Sequence, residues 1–201
     1  MYARLLAFLI VSVTWTAASA APLIIEPDDF APGTDISNVV PGVTLSTVSS
    51  DLGDSAVFAV EPREADWAST GRLVFGHNGS FPEHWVTDTI SPFRYGALRV
   101  DIDVDFDVVE VQFDLNGNDS DDIGILEAFA EDGTLLGTFE TGLLDADVFE
   151  TATISSATPI RYLVAGGKQA DTITLDRLVL IPEPASLALF LFGGLLWRRG
   201  S

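Results

Sequence analysis

The chain has 201 residues, and among them are no cysteine, two histidines, one methionine and only ten lysines and arginines. The missing thiols exclude a disulfide framework, a thiolate zinc site and a cysteine nucleophile. Thirty acidic residues oppose the ten basic ones, for a formal net charge of −20. Every acid lies between Glu26 and Glu183. Such a field repels phosphate backbones, which excludes nucleic acid as a partner; it also favours solubility and attracts divalent cations. No Gly-x-Ser-x-Gly elbow and no His-Glu-x-x-His pattern occurs, so two common hydrolase signatures are missing. Acids such as Glu61, Glu64, Glu83 and Glu127 are so abundant that choosing two as acid and base is arbitrary. The chain reads as a non-enzyme.

What the chain does have is an apolar segment at each end. Arg4 is followed by an apolar stretch over residues 5–13 and then Ala18-Ser19-Ala20-Ala21. A positive start, a short apolar centre and small residues at the cleavage position make a secretory signal peptide, 1–20, with cutting between Ala20 and Ala21. At the other end residues 185–197 are apolar and lead to Arg198 and Arg199. As a helix this run reaches roughly 20 Å, short of a hydrocarbon core of about 30 Å, and snorkelling arginines extend it. Pro182 and Pro184 break helix at its start and keep the backbone extended for a processing enzyme.

The order Pro182-Glu183-Pro184, short apolar helix, Arg198-Arg199 resembles the PEP-CTERM sorting signal of Gram-negative bacteria. Two details depart from the usual pattern: Ile181 stands where Val is commoner, and the basic cluster is two arginines followed by Gly-Ser. The resemblance implies removal of segment 182–201 by a membrane protease, exosortase, in a system linked to exopolysaccharide and biofilms. It also implies the partners: translocon, signal peptidase, exosortase, a transient inner-membrane tether and exopolysaccharide. The destination is then the cell surface or extracellular matrix.

Between the ends, 21–181 reads as one all-β domain. Leu98, Val100, Ile102, Val104 and Phe106 alternate with Arg99, Asp101, Asp103 and Asp105, the pattern of a half-buried antiparallel strand over 98–106. Further strands are expected over 43–48, 56–61, 72–75, 109–115, 123–130, 134–139, 148–154, 160–164 and 172–180. Asp132-Gly133 marks a hairpin. Ten short strands with no amphipathic helix among them predict an antiparallel β-sandwich, jelly-roll-like, flanked by a signal helix and a short C-terminal hydrophobic helix. Phe30-Ala-Pro-Gly-Thr-Asp, Ala68-Ser-Thr-Gly71 and Ile173-Thr-Leu-Asp-Arg-Leu178 resemble segments of secreted β-sandwich proteins that bear this tail.

Two sets of side chains suggest binding. Asp114, Asn116, Asn118 and Asp119 start like an EF-hand loop, but Asp119 stands where the turn glycine belongs and Ile125 where the bidentate Glu belongs. A looser calcium loop between strands is the metal reading, a solvated hairpin loop the plain one. The resemblance to jelly-roll sugar-binding domains adds calcium held near both termini, with Asp176 from the last strand and Asp28 or Asp29 from the first residues. Calcium is thus the one cofactor the sequence admits. Trp67, Trp85 and Tyr95 are candidate glycan contacts, because a flat ring matches the C–H face of a pyranose. The function expected is an exported, polysaccharide-associated module; a glycan hydrolase or lyase, or a purely structural matrix protein, are the alternatives.

Overall fold

The computed structural model describes residues 21–48, 58–79, 82–87, 96–103, 106–119, 121–169 and 171–183. Within them Ala21–Glu183 form one compact unit of eleven strands and a single 3-10 turn, Pro27–Asp29. Both expected terminal helices, together with Ala18, Ala20, Pro184, Arg198 and Arg199, lie outside the described residues. No helix among the described residues is long and apolar enough to cross a membrane.

The strands are β1 (Leu23–Ile25), β2 (Val43–Val48), β3 (Val60–Glu64), β4 (Leu73–His77), β5 (Ala97–Ile102) and β6 (Val108–Gly117). They continue as β7 (Gly124–Phe129), β8 (Leu135–Glu140), β9 (Phe149–Ile160), β10 (Tyr162–Gly167) and β11 (Ile173–Pro182). One sheet runs β3-β4-β11-β6-β9, with β1 also on β11; the other runs β2-β5-β10-β7-β8. All pairings between these strands are antiparallel. From β4 onward the chain crosses between 4-11-6-9 and 5-10-7-8 at every step except the β7–β8 hairpin, the double Greek-key order of a jelly roll.

Alternation decides what goes inside. Leu98, Val100 and Ile102 of β5 face Val111, Phe113 and Leu115 of β6 and Leu175, Leu178 and Leu180 of β11 within one buried cluster. Each such side chain contributes about 1.5–3 kcal/mol by leaving water. Phe75 and Phe113 meet edge to face at 5.6 Å. The strand expected over 98–106 is observed to Ile102; Val104 and Asp105 lie outside the described residues, and the Phe106 N–H donates to the Asp103 carbonyl at 3.1 Å. The strand expected over 56–61 begins at Val60, and β1 has no counterpart among the expected strands. Asp132-Gly133 does form the turn between β7 and β8, Gly133 at φ +82° and Asp132 Oδ1 accepting from the Thr134 N–H at 2.9 Å.

One irregularity places the site. On one side β11 pairs with β6 throughout. On the other it pairs with β4 at Leu175 and then with β1 at Leu178–Leu180. A bulge falls between Asp176 and Leu178, at this change of partner, and leaves Arg177 at φ +32°. Bulges re-aim side chains in this way.

Candidate functional site

The bulge sets Asp176 directly opposite Asp114 of β6. Both side chains point to the outer face of the sheet, because Leu175 and Leu178 on one strand and Phe113 and Leu115 on the other fill the interior. Like charges directly opposed across a strand pair are destabilising, and here both are buried: Asp114 is 3% exposed and Asp176 0%. Burial comes from the β3–β4 hairpin, whose tip folds over this face. Glu26, next after β1, is the third carboxylate.

Hydroxyls sit between the acids. Ser69 Oγ lies 3.0 Å from Asp114 Oδ2 and 2.9 Å from Asp176 Oδ2. Thr70 Oγ1 lies 2.8 Å from Glu26 Oε1 and 3.2 Å from Asp176 Oδ2. Each hydroxyl has one proton, so these four oxygen–oxygen contacts have two protons between them. The Thr70 N–H donates to Asp176 Oδ2 at 2.9 Å, the Arg177 N–H to Asp176 Oδ1 at 2.8 Å and the Thr151 hydroxyl to Asp114 Oδ1 at 2.6 Å. Among the described residues no Lys or Arg ion pair reaches the three carboxylates. The arrangement is therefore short of positive charge. Burial first, and the Asp176 and Asp28 carboxylates after it, push Glu26 up to about 7 despite the Thr70 hydrogen bond.

Asp28 extends the array. Its carboxylate accepts from the Arg72 N–H at 3.0 Å and the Leu73 N–H at 3.3 Å. Gly71, at φ +54°, makes this approach possible; a Cβ there would stand 2.0 Å from Asp28 Oδ2. One rung along the same face, Asn116 lies opposite Thr174. Asn116 is 1% exposed, yet neither its amide nitrogen nor its oxygen has a partner among the described residues, and Thr174 Oγ1 also lacks one. Orphaned buried polar atoms of this kind are rare.

Among the described residues no three His, Asp or Glu side chains converge as a ready metal-ligand set; Ser69 and Thr70 stand between the acids. The donor set nevertheless suits a hard cation: carboxylate and amide oxygens on the strands and after β1, with hydroxyls from the hairpin tip over them. A divalent ion would supply the charge that two protons do not.

The metal residues expected from sequence separate into two groups. Asp114 and Asn116 belong to the body of β6, not to a loop, and Asp176 joins them from β11. Asn118 and Asp119 turn elsewhere: their backbone N–H groups donate to Asp122 Oδ2 at 2.8 and 3.0 Å. That turn is organised around a buried carboxylate, and burial raises the pKa of Asp122. Glu26, Ser69, Thr70 and Thr151 were not expected. Their signal was weak, since they come from three distant segments; the polar outward positions of Gln112, Asp114, Asn116, Thr174 and Asp176 were the usable clue.

Trp85 as a glycan contact is corrected. It is 0% exposed and plugs the sandwich end, with Nε1–H donating to the Phe75 carbonyl at 2.8 Å and main-chain bonds to Ile173 and Gly167. Its edge contacts His77 at 5.2 Å. Trp67 lies half-buried in the β3–β4 hairpin, its Nε1 enclosed and without a partner among the described residues. Tyr95 lies outside the described residues.

No family model matches the chain, and no curated protein matches it. Among solved structures it is similar to the K2 cleaved adhesin domain of Lys-gingipain, at 13% identity and a TM-score of 0.49, covering 80% of this chain and 99% of that one. It is also similar to a family 6 carbohydrate-binding module, at 11% identity and a TM-score of 0.37, covering 80% of this chain and 94% of the module. At these identities no residue of either protein assigns a role to a residue here.

Proposed function

We propose that the chain is an exported, non-catalytic β-sandwich, sorted through its Pro182-Glu183-Pro184 tail and retained in surface or matrix polysaccharide. The sandwich is stiffened by calcium at Glu26, Asp114 and Asp176. The observation that carries this reading is the charge-deficient carboxylate cluster. It joins Glu26, just after the signal segment, to Asp176, shortly before the sorting motif. Force on a tethered domain enters at its ends, so a cation here stiffens the segment that bears it. The ion's chemistry is charge neutralisation; the residues supply oxygens and a closed hairpin, and no substrate reaches so buried a site.

The test is a melt of the full chain in mild detergent, with EDTA and with calcium. Saturation a hundredfold above Kd contributes about 2.7 kcal/mol, a rise of roughly 5–10 °C for a domain of this size. An unchanged melting temperature removes the metal. Intact mass of the protein recovered from its host tests the sorting: retention of both terminal segments removes that part.

A further inference from the structure

Two Asn-Gly pairs occur in the chain, Asn78-Gly79 and Asn116-Gly117. Such a pair can close on itself. The glycine backbone nitrogen attacks the asparagine side-chain carbonyl, and with no Cβ on the glycine nothing obstructs the approach. The reaction is limited by the proton on that nitrogen, so the group that accepts its hydrogen bond sets the rate.

The fold treats the two pairs differently. Asn116 and Gly117 lie inside β6, and Asn116 is 1% exposed. The Gly117 N–H donates to the Val148 carbonyl at 2.9 Å, an oxygen with no tendency to take a proton. Asn78 and Gly79 instead sit in the bend that follows β4, and Asn78 is exposed. The Gly79 N–H donates to Nδ1 of His77 at 3.0 Å, and a neutral imidazole nitrogen is a base. A Cβ on Gly79 would stand 2.8 Å from that Nδ1, so the close approach needs glycine. His77 is itself fixed: it is 1% exposed, stacked on Phe58 at 5.4 Å and edge-on to Trp85 at 5.2 Å. Accepting at Nδ1 puts its proton on Nε2, and burial lowers its pKa from the usual 6.5, so the ring is neutral in neutral water.

We infer that Asn78-Gly79 is a self-modification site, with His77 as its catalytic base. As His77 Nδ1 takes the Gly79 proton, a bond forms from Gly79 N to Asn78 Cγ. The Cγ–Nδ2 bond then breaks, and the nitrogen leaves as ammonia with the proton that His77 returns. Water opens the resulting imide ring at either carbonyl, leaving aspartate or isoaspartate at position 78. Each product adds a carboxylate. Isoaspartate also lengthens the backbone by a methylene, where the Asn78 N–H meets the Ala59 carbonyl at 3.3 Å beyond the β3–β4 pair.

The test incubates the full chain in mild detergent and maps both pairs by mass spectrometry of digests. In the folded chain Asn78 is expected to convert and Asn116 to stay intact; in urea both are expected to convert alike. His77→Phe keeps a ring between Phe58 and Trp85 and is expected to slow Asn78 by about tenfold or more. The pH profile separates a base from a loop that is merely open. Arg63 of β3, and Glu83 and His84 before Trp85, are the charged groups around the ring, and His84→Gln removes the other titrating imidazole. Unassisted closure rises in proportion to hydroxide, whereas closure through His77 levels off once the imidazole is neutral. The folded wild type and His84→Gln are both expected to level off above pH 6.5. A folded-state rate that keeps rising with hydroxide overturns the inference. So does an Asn78 that stays intact in the folded chain, or a His77→Phe chain that melts like wild type and converts as fast. If His77→Phe fails to fold, the wild-type pH profile decides.

Discussion

On the outer face of the first sheet, Asp114 and Asp176 oppose each other, buried, with hydroxyls and backbone amides as neighbours. On the outer face of the second, Asp101 opposes Tyr162 and sits in the fork of Arg99, its side chain 43% exposed. Both faces place carboxylates at outward strand positions. The second neutralises its carboxylate with a guanidinium from the same strand and stays open. The first covers its carboxylates with a hairpin tip and leaves the charge to a proton or an ion. A pair like Arg99–Asp101 is worth little in water, so the open face is tolerant. The covered face is not: removing any donor there strands a buried acceptor.

The comparison is broken most strongly through two glycines. Ala at Gly71 must adopt a left-handed conformation and also expel Asp28, which frees the Arg72 and Leu73 N–H groups. The expected cost is about 3 kcal/mol in urea unfolding. Ala at Gly133 faces similar backbone strain at φ +82°, but its nearest neighbour is the Tyr162 hydroxyl at 3.7 Å, so the cost is about 1 kcal/mol. Equal costs would show that the hairpin tip is not clamped by carboxylates.

Next in size is a pair of charge deletions. Asp176→Asn keeps an accepting oxygen and removes the charge facing Asp114. Both Asp176 oxygens accept backbone N–H groups, so the amide leaves one buried donor unmet; in EDTA it should destabilise by about 1–2 kcal/mol despite the relieved repulsion, and it should abolish the calcium rise. Asp101→Asn releases Arg99 and should destabilise by less than about 1 kcal/mol, with the calcium rise intact. The two differ in size and in calcium response, and losses of equal size, or a calcium rise that survives Asp176→Asn, would sink the account of the first face.

Much of this architecture is legible in the residues. Alternation at Leu98–Ile102 and the Asp132-Gly133 turn are local features, and the structure contains both. The course of β1 is not legible, because three residues with no polar alternation acquire their identity from pairing with Leu178–Leu180. Asp114 and Asp176 stood out as acids, but their opposition depends on a bulge, and the bulge depends on β11 changing partners. Trp85 was a glycan candidate only for its flat ring; its burial goes with main-chain bonds to Ile173 and Gly167, far along the chain. The site is an outcome of tertiary register, to which sequence spacing is blind.

The smallest expected effect separates proton from cation. Glu26 is pushed up to about 7 in the folded state from an ordinary 4.5. The folded state therefore holds a proton that the unfolded state has released, and the contribution is present below pH 4.5 and lost as pH rises through 7. His77 works the other way: burial lowers its pKa from 6.5, so its contribution is present above 6.5 and lost as pH falls. Between pH 6.5 and 8 the His77 contribution is level and Glu26 alone should act. In EDTA the wild type should lose stability across that window, on the order of 1 kcal/mol after allowance for partial exposure, and Glu26→Gln should flatten the curve. In saturating calcium the slope should vanish, because the ion displaces the proton and the folded state then has none to release; the calcium rise itself grows with pH. A slope as steep in calcium as in EDTA, measured by urea melts at pH 6.5 and 8, would mean that the ion does not occupy the proton's place.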